Sequence, residues 1–379
     1  MEKITIGFDA KRIVSNGTGL GSYGRTLVND LAQLTHSSDG LPISLKLRLY
    51  APDRGRNELR SQVPERENLC FCYPDSPQHG TIRKSYWRSR SILNNLVRDK
   101  VEVFHGLSGE LPIGISHWGI KSVVTIHDLI FLRHPEFYHW VDTKIYSWKF
   151  HQAVSEADHI IAISECTKRD IMELGGVEES RISVIYQSYA PRFKVSAKVP
   201  TPFPLPERYI LNVGSIEPRK NILLAVKALA FLPDDLSLVV VGRHTSYADK
   251  VKAYAEEQGL AHRLQVLHGV SDDDLPALYA SAETFVYPSV YEGFGIPIIE
   301  AISSGLPVVA CTGSCLEEAG GPDALYVAPD DVPAMAAAIK QTLRGTQGRE
   351  QRILRSQEYI KRFEGADVAS QVVDVYRWL

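Results

Sequence analysis

The sequence predicts an α/β protein of two Rossmann-like, doubly wound parallel-sheet domains that face a ligand cleft. At 379 residues, the chain is too long for one ordinary hydrophobic core. Short β-branched runs alternate with amphipathic helical stretches. Runs such as LVVV at 238–241 are apolar on both faces, which is typical of strands in a parallel sheet covered by helices. A proline-rich segment separates two series of these units, so we expect the ligand site between two domains.

The candidate strands set the predicted domain boundaries. In the first series they are 3–8, 43–50, 101–104, 122–126, 159–163 and 181–186. In the second series they are 208–213, 236–241, 264–268, 284–288 and 306–310. The predicted parts of the chain are a first domain at 1–193, an extended linker with four prolines at 194–207, a second domain at 208–360, and a C-terminal helix at 361–379 that returns to the first domain.

Composition and charge narrow the function classes. The chain is 44% hydrophobic and 23% charged with a net charge of −3, a balance that gives no basic field for nucleic acid. Its start, MEKITIGFDA, turns polar too soon for a signal peptide, and no apolar run approaches the about 18–20 residues of a membrane span. The five cysteines match no zinc spacing, which indicates reduced thiols and a cytoplasmic location.

The segment 81–100, TIRKSYWRSRSILNNLVRDK, carries six basic residues and one acidic residue, with apolar and aromatic residues between them. One interpretation is a patch that touches the inner face of a membrane or a lipid-linked substrate. The alternative is a solvated helix that packs on its apolar side.

A glycine-rich stretch, GTGLGSYG, follows the first strand. Its Gly19, Gly21 and Gly24 match the spacing of the dinucleotide-binding fingerprint, which alone would suggest a dehydrogenase. The fingerprint needs glycine directly after the strand, however, and about ten residues intervene here. Glycines at a helix N-terminus let backbone N–H groups approach an anion or a sugar closely. We therefore expect a ligand contact here, with a plain structural turn as the alternative.

Several polar side chains directly follow predicted strands of the first half. His127 and Asp128 come after strand 122–126, and Asp9 and His105 also follow strands. In doubly wound sheets, ligands bind outside the carboxyl ends of the strands. The neutral imidazole of His127 could therefore donate a hydrogen bond to a substrate hydroxyl or carbonyl. The alternative is a structural histidine.

In the second half, strand 208–213 leads into GSIEPRKN and then a predicted helix. Arg219 and Lys220 would lie at the N-terminus of that helix, where the helix dipole disfavours positive charge. A phosphate-bearing ligand would offset this arrangement. A solvated basic turn is the alternative.

The stretch YEGFGIPIIE follows strand 284–288, and Pro297 suits the first turn of a helix. Its glycines would present N–H groups at a second anion site. We place Glu300 in the first helical turn and Glu292 in the loop before it. Together these carboxylates could hold sugar hydroxyls while the cations hold phosphate. Complementing the helix dipole explains Glu300 alone but not Glu292.

Taken in order, these stretches resemble those of a known family. The chain is similar over nearly its whole length to the retaining glycosyltransferases of the GT-B fold, specifically family 4. Glu292 and Glu300, with seven residues between them, look like the family's E-x7-E motif. VGSIEPRKN looks like its phosphate-binding loop, GTGLGSYG like its first glycine-rich loop, and TIHDL like the segment with its active-site histidine.

The resemblance implies a role for each matching residue. Arg219 and Lys220 would contact the donor diphosphate. Glu300 would hold the nucleotide ribose, Glu292 the donor sugar or phosphate, and His127 the transferred sugar. The catalytic candidates are therefore His127, Glu292, Arg219 and Lys220. The further donor-binding candidates are Gly19, Gly21, Gly214, Ser215, Gly293, Phe294, Gly295, Ile296 and Pro297. Many family members have arginine where this chain has Ser215. Without that arginine, Arg219 and Lys220 would have to supply the positive charge for the donor phosphates.

The implied activity is transfer of a sugar from a nucleotide diphosphate sugar to an acceptor hydroxyl, with retained anomeric configuration and without a metal or other cofactor. Similarity of the EPRKN loop to that of bacterial mannosyltransferases of surface-polysaccharide assembly favours GDP-mannose as the donor. The acceptor would be a glycan or a polyprenyl-linked sugar, with Asp9, His105 and Asp128 as its candidate contacts. The alternatives are a GT-B-like nucleotide-sugar epimerase and a catalytically degenerate binding subunit.

Overall fold

A computed structural model describes residues 2–194 and 201–379 of the chain. The chain divides into two compact units, one of Met1–Ser188 with Phe363–Leu379 and the other of Tyr189–Arg362. Within the predicted linker, 195–200 lie outside the described residues. Residues 189–193, which the sequence analysis assigns to the first domain, group with the second unit. Phe193 explains this grouping, since it is fully buried against the ring of Tyr279 at a centroid distance of 5.5 Å.

The first unit is built on a parallel sheet. Its seven strands are β1 (Glu2–Asp9), β2 (Ile43–Tyr50), β3 (Leu69–Cys72), β4 (Val103–Gly106), β5 (Lys121–Ile126), β6 (His159–Ala162) and β7 (Ile182–Val184). They lie in the order β3-β2-β1-β4-β5-β6-β7. The strand order reverses between β1 and β4, and loops that leave such neighbouring strands in opposite directions open a crevice at their carboxyl ends.

Helices cover both faces of this sheet. They are α1 (Lys11–Ser15), α2 (Gly19–Gln33), α3 (Asn57–Arg60), α4 (Gly80–Tyr86), α5 (Ile92–Arg98), α6 (Ile130–Arg133), α7 (Trp140–Glu156) and α8 (Glu165–Gly175). Val103 and Phe104 are consecutive in β4 but belong to two different buried clusters, and so are Val123 and Val124 in β5. Successive strand residues point to opposite faces, so each face has its own core.

The second unit repeats this architecture with a six-stranded parallel sheet. Its strands are β8 (Arg208–Val213), β9 (Leu236–Val241), β10 (Leu264–Leu267), β11 (Thr284–Tyr287), β12 (Val308–Cys311) and β13 (Leu325–Val327). Its helices are α9 (Ile222–Ala228), α10 (Ser246–Glu257), α11 (Leu275–Ser281), α12 (Ile296–Ser303), α13 (Leu316–Gly320), α14 (Val332–Lys340) and α15 (Arg349–Tyr359). The strand order is β10-β9-β8-β11-β12-β13, so the reversal falls between β8 and β11. These two sheets confirm the predicted doubly wound α/β fold class.

The C-terminal helix α16 (Gly365–Trp378) packs against α2 within the first unit. Its Tyr376 is buried, and the hydroxyl lies 2.6 Å from Nδ1 of His105. Nε2 of the same ring lies 2.7 Å from the hydroxyl of Thr125. Burial, with a smaller contribution from His127, lowers the pKa of His105 to about 3, so the ring is neutral.

This burial corrects the proposed substrate contact of His105. The ring is fully buried and both of its nitrogens are engaged by protein hydroxyls. A position directly after a strand is not sufficient for ligand contact, because His105 is itself the third residue of β4 and points into the core. Its role is structural, as the polar anchor of the C-terminal helix.

Two strands are not predicted from the sequence. They are β3, with the sequence LCFC, and β13, with the sequence LYV. Both lie at an edge of their sheet and are short. β3 contains no β-branched residue and β13 contains one, so neither sequence shows the continuous β-branched run that identified the other strands.

The basic segment 81–100 runs through α4, a π-helical turn at Trp87–Ser91, and α5. Its apolar side is in the core, where Trp87 and Leu96 are buried. Lys84 pairs with Asp53 at 2.7 Å, and Arg88 and Arg98 also pair with carboxylates. This packing favours the solvated-helix interpretation, although Ile82 remains 86% exposed. Membrane contact here stays a prediction. Among the described residues, no helix combines the length and the apolar character that a membrane span requires.

We predict that Tyr376→Phe lowers the free energy of unfolding by about 1–3 kcal/mol, because it leaves a buried histidine nitrogen without its partner. Urea unfolding followed by circular dichroism measures this change. Tyr86→Phe removes a hydroxyl from a tyrosine that is 61% exposed and serves as the control. Equal stability of the Tyr376→Phe protein and the wild type would contradict the anchoring role.

Candidate functional site

The predicted cationic pair lies between β8 and α9, at the carboxyl end of a strand beside the sheet reversal. Pro218–Lys220 form one 3-10 turn, and Asn221 adopts a left-handed φ of 54°. The side chain of Asn221 donates a hydrogen bond of 2.7 Å to the carbonyl of Pro329. An asparagine tolerates this backbone conformation better than most residues, so the turn is fixed before helix α9 begins.

Arg219 and Lys220 both contact Glu292, which follows the adjacent strand β11. One carboxylate oxygen lies 2.9 Å from Nη1 of Arg219, and the other lies 2.6 Å from Nζ of Lys220. All three side chains are between 11% and 14% exposed. The sequence predicts the cations and the carboxylate as separate contacts for a ligand. The structure instead joins them in a single, nearly buried ion cluster.

The three groups keep each other charged. Burial is the largest single effect and would raise the pKa of Glu292, but the charges of Lys220 and Arg219 and the hydrogen bonds to the carboxylate together lower it to about 2. Burial would likewise lower the pKa of each cation, and Glu292 overcomes this and raises both. The cluster therefore joins two cations to the carboxylate of Glu292, and Arg219 also pairs with a second carboxylate, that of Glu217.

Two further side chains and one carbonyl that the sequence does not single out hold this cluster, together with the predicted Ser215. Tyr287 has its hydroxyl 2.7 Å from Nζ of Lys220. Arg219 donates to the carbonyl of Tyr291 at 2.6 Å and pairs with Glu217 at 3.0 Å. Glu217 also accepts a hydrogen bond of 3.0 Å from Ser215. The sequence could have indicated Tyr287, because this tyrosine lies at the end of strand TFVYP, where ligands of such sheets bind.

The start of α12 confirms a helix with Pro297 in its first turn. Gly295 caps it with a φ of 127°, and a Cβ there would lie 3.2 Å from a methyl of Leu316. The thiol of Cys315 donates to the carbonyls of Glu292 at 3.1 Å and of Phe294 at 2.9 Å. The GFG segment is therefore buried and held by the thiol of Cys315, while Ile296 and Pro297 are half-buried.

Glu300 lies in the second turn of α12, not in the first as predicted, because the helix begins at Ile296. Because the helix dipole acts mainly within the first turn, it does little to explain a glutamate at position 300. Its carboxyl accepts a hydrogen bond of 3.1 Å from Tyr279. Burial raises the pKa of Glu300 to about 7, and the smaller effects of Tyr279 and Arg192 do not cancel it. The two glutamates of the predicted pair therefore have opposite environments.

The glycine-rich stretch of the first unit is helical, which corrects the predicted loop. Gly19 is the first residue of α2, and Gly21 and Gly24 lie inside the helix. A Cβ on Gly21 would lie 1.9 Å from the carbonyl oxygen of Asn16, and one on Gly24 would lie 2.9 Å from Ile13. These two glycines therefore allow helix α2 to approach its own chain closely. Only Gly19 is exposed at the helix start.

His127 lies directly after β5, as predicted, but both of its ring nitrogens are engaged. Nε2 donates to the carbonyl of Leu107 at 2.8 Å, and the side-chain amide of Gln187 donates to Nδ1 at 2.8 Å. The edge of the ring meets Tyr23 at a centroid distance of 4.7 Å. Burial is the main cause that lowers the pKa of His127 to about 4. The lowered pKa agrees with the expected neutral ring, but its N–H is already used within the protein, on the carbonyl of Leu107.

Asp9 and Asp128 line two neighbouring cavities of the first unit. Asp9 accepts a hydrogen bond of 2.8 Å from Arg88 beside a cavity of about 210 Å³. Asp128 lines a cavity of about 230 Å³ together with His127. The candidate residues thus form two groups, one in the second unit around the ion cluster and one in the first unit around these cavities. In the described part of the chain, no three His, Cys, Asp or Glu side chains are grouped as metal ligands.

Comparison with known families gives two matches that together cover most of the chain. The family described as "Glycosyltransferase Family 4" matches residues 18–189, and "Glycosyl transferases group 1" matches residues 196–359. The first match includes the cavities beside Asp9 and His127, except for Asp9 and Arg12, and the second includes the ion cluster.

Related proteins point to the same family. The chain is 33% identical over 96% of its length, and 96% of the relative's length, to O-antigen chain mannosyltransferase B of Escherichia coli. It is 31% identical to O-antigen chain mannosyltransferase RfbU of Salmonella typhimurium, over 58% of this chain and 60% of that protein.

Solved structures share the fold at low identity. A glycosyltransferase from Rickettsia africae matches with a TM-score of 0.72 and 18% identity, over 100% of this chain and 98% of that one. WaaG, a glycosyltransferase involved in lipopolysaccharide biosynthesis, matches with a TM-score of 0.68 and 16% identity, over 98% and 99% of the two chains. The chain therefore belongs to the family 4, group 1 glycosyltransferases and has their GT-B fold.

Proposed function

We propose that this glycosyltransferase is a retaining, metal-independent mannosyltransferase that uses GDP-mannose. Its acceptor is a hydroxyl of a glycan or of a polyprenyl-linked sugar, in the synthesis of a surface polysaccharide or glycolipid. The observation that carries this proposal is the ion cluster of Arg219, Lys220 and Glu292 beside the sheet reversal of the second unit. The choice of mannose rests on the similarity to the O-antigen mannosyltransferase of Escherichia coli.

In this proposal the donor diphosphate binds to Arg219 and Lys220. Both cations are positioned by Glu292, so little side-chain entropy is lost when the phosphates arrive. Charge-assisted hydrogen bonds from a guanidinium and an ammonium are stronger than those between neutral groups. The N-terminus of α12 adds the positive end of its dipole to the same side of the second sheet.

The reaction breaks the bond between the anomeric carbon and the diphosphate, and negative charge builds on the leaving phosphate. Arg219 and Lys220 stabilise that charge from fixed positions, which supplies the role a metal ion plays elsewhere. The acceptor hydroxyl attacks from the leaving-group face, and its proton passes to the departing phosphate. This sequence forms one new glycosidic bond and retains the anomeric configuration.

Glu292 is not assigned as a nucleophile in this mechanism. A retaining glycoside hydrolase needs a carboxylate that is free to attack the anomeric carbon. Both oxygens of Glu292 are instead paired with cations, at 2.6 and 2.9 Å. We assign it to positioning Arg219 and Lys220, and we assign Glu300 to the ribose hydroxyls.

His127 is assigned to lining the acceptor-side cavity and not to proton transfer. Its ring nitrogens are bonded to Leu107 and Gln187, and burial keeps the ring neutral. The same bonding weakens the epimerase alternative, which requires a base.

We predict that Lys220→Ala weakens GDP binding by about 10- to 100-fold, since one charge-assisted contact contributes about 1.5–3 kcal/mol. Calorimetric titration with GDP measures the affinity, and titrations with UDP and dTDP measure the preference for the base. Lys227→Ala removes an exposed lysine of α9 and serves as the matched control. Unchanged GDP affinity in Lys220→Ala would remove the residue from the donor site.

We predict that GDP affinity rises by about tenfold between pH 6 and pH 8 through Glu300, because a carboxyl with a pKa near 7 is mostly protonated at the lower pH. Only the ionised form accepts hydrogen bonds from two ribose hydroxyls through both of its oxygens. The phosphate of GDP also titrates in this pH range. Because Glu300→Gln removes the carboxyl and leaves the phosphate unchanged, it gives the baseline pH dependence of the affinity. An identical pH dependence in both proteins would contradict the ribose contact.

The same pKa predicts a stability effect without nucleotide. The folded carboxyl keeps its proton up to about pH 7, whereas an unfolded glutamic acid loses its proton near 4.5. The contribution of Glu300 to stability therefore falls as the pH rises from 4.5 to 7. We expect Glu300→Gln to gain stability relative to wild type over this range in urea unfolding. A constant difference between the two proteins would show that the pKa is not raised.

A further inference from the structure

The first unit contains a second cavity beside the one that His127 and Asp128 line. The two cavities have volumes of about 210 and 230 Å³, each on the scale of one hexose unit. Glu110 and Lys149 line both of them, and their ion pair of 2.9 Å marks where the cavities adjoin. The second cavity also contains Asp9, the last residue of β1, and Glu110, which follows β4. It therefore lies at the strand reversal of this sheet, where ligands of doubly wound folds bind.

The floor of the second cavity is a fixed network of charges. Arg88 is 9% exposed and lies between Asp9, at 2.8 Å, and Glu110. Burial alone would lower the pKa of Arg88, but the two carboxylates raise it. Burial alone would also raise the pKa of Glu110, but Arg88 and Lys149 lower it to about 2. The network thus offers charged acceptors and donors that need no rearrangement to bind a polar ligand.

One buried polar group of this cavity lacks a partner. The side-chain nitrogen of Gln152 is buried and has no hydrogen-bond partner among the residues that the structure describes. Buried amides are satisfied in nearly all native proteins, and the position of this one at a cavity wall leaves its N–H groups for a ligand that the side chain turns to meet. A sugar hydroxyl supplies the acceptor that this nitrogen requires.

An exposed indole completes the cavity wall. Trp148 lies on α7 and is 60% exposed. An aromatic plane beside charged hydrogen-bonding groups suits a hexose, because the C–H face of the ring packs on the indole while the hydroxyls reach the polar floor. The four charged side chains that line the cavity, Asp9, Arg88, Glu110 and Lys149, pair with one another and leave the exposed indole as the surface on which a sugar ring can pack.

We infer that this second cavity binds the penultimate sugar of the acceptor glycan, while the cavity beside His127 and Asp128 binds the sugar that accepts the transfer. The inference rests on the proposed function and extends it. The acceptor is then a chain of at least two sugar units, and the enzyme recognises the unit behind the reacting one through Arg88, Gln152 and Trp148.

The test compares two octyl glycosides as acceptors, a single α-mannoside and an α-linked dimannoside, with GDP-mannose as the donor. We expect kcat/KM for the dimannoside to exceed that for the monomannoside by about tenfold or more, the scale on which one occupied subsite acts. Trp148→Ala and Gln152→Leu should reduce this ratio to about two or below. Equal kcat/KM values for the two glycosides in the wild type would overturn the inference.

Trp140→Ala is the matched control, because Trp140 lies on the same helix, is 64% exposed and lines neither cavity. It should keep the wild-type ratio of kcat/KM values. If Trp140→Ala lowers the ratio as much as Trp148→Ala does, the effect is not specific to the cavity and the inference is wrong. The KM for GDP-mannose should stay unchanged in all three variants.

Saturation-transfer NMR of the dimannoside with the full chain separates this inference from the proposed donor. We expect signals from both sugar units in the wild type and loss of the reducing-end unit's signal in Trp148→Ala, whether or not GDP-mannose is consumed. If both sugar units contact the protein but no mannose is transferred from GDP-mannose, the inference of two subsites holds and GDP-mannose is rejected as the donor. If mannose is transferred but only one sugar unit contacts the protein, GDP-mannose is the donor and the inference of two subsites is wrong.

Discussion

The ion cluster of Arg219, Lys220 and Glu292 is the constraint on which the candidate site of the second unit depends. Three charges are nearly buried, and the two cations hold the pKa of Glu292 well below its usual value despite its burial. The two loops that carry them leave β8 and β11, which are neighbours in the sheet, and a backbone hydrogen bond of 2.9 Å from Val290 to the carbonyl of Arg219 joins the loops. The fold therefore positions the cluster, and the cluster in turn fixes the conformation of both loops.

Removing one member of such a cluster leaves an uncompensated buried charge, which costs more than the pair contributes. This asymmetry explains why both cations are supported by additional groups, Lys220 by Tyr287 and Arg219 by Glu217 and the carbonyl of Tyr291. The supports hold the cations in place, so an arriving anion meets donors that are already oriented. Preorganisation of this kind is the main way in which a protein stabilises charge that develops during a reaction.

Local patterns in the sequence were sufficient for most of the fold and for the identity of the cationic and acidic residues. Continuous apolar runs reveal central strands, and a Pro at a helix start is a local signal. The contact between Glu292 and the Arg-Lys pair spans more than 70 positions and has no local signal. Likewise, His105 and His127 both follow or end strands, yet one ring is in the core and the other lines a cavity. Only tertiary packing distinguishes them.

The two sheet reversals hold charged groups in similar numbers but in different surroundings. In the second unit Arg219 and Lys220 are paired with Glu217 and Glu292, and in the first unit the cavity beside Trp148 is lined by Asp9, Arg88, Glu110 and Lys149. Each set has two basic and two acidic side chains, so the surroundings have to distinguish the two proposed ligands. The cations of the second unit lie at the same sheet edge as the start of α12, whose dipole favours an anion, whereas the charges of the first unit lie beside an exposed indole that suits the C–H face of a sugar. Under the proposed function, it is these neighbours that assign two substrates of unlike chemistry to two copies of one architecture.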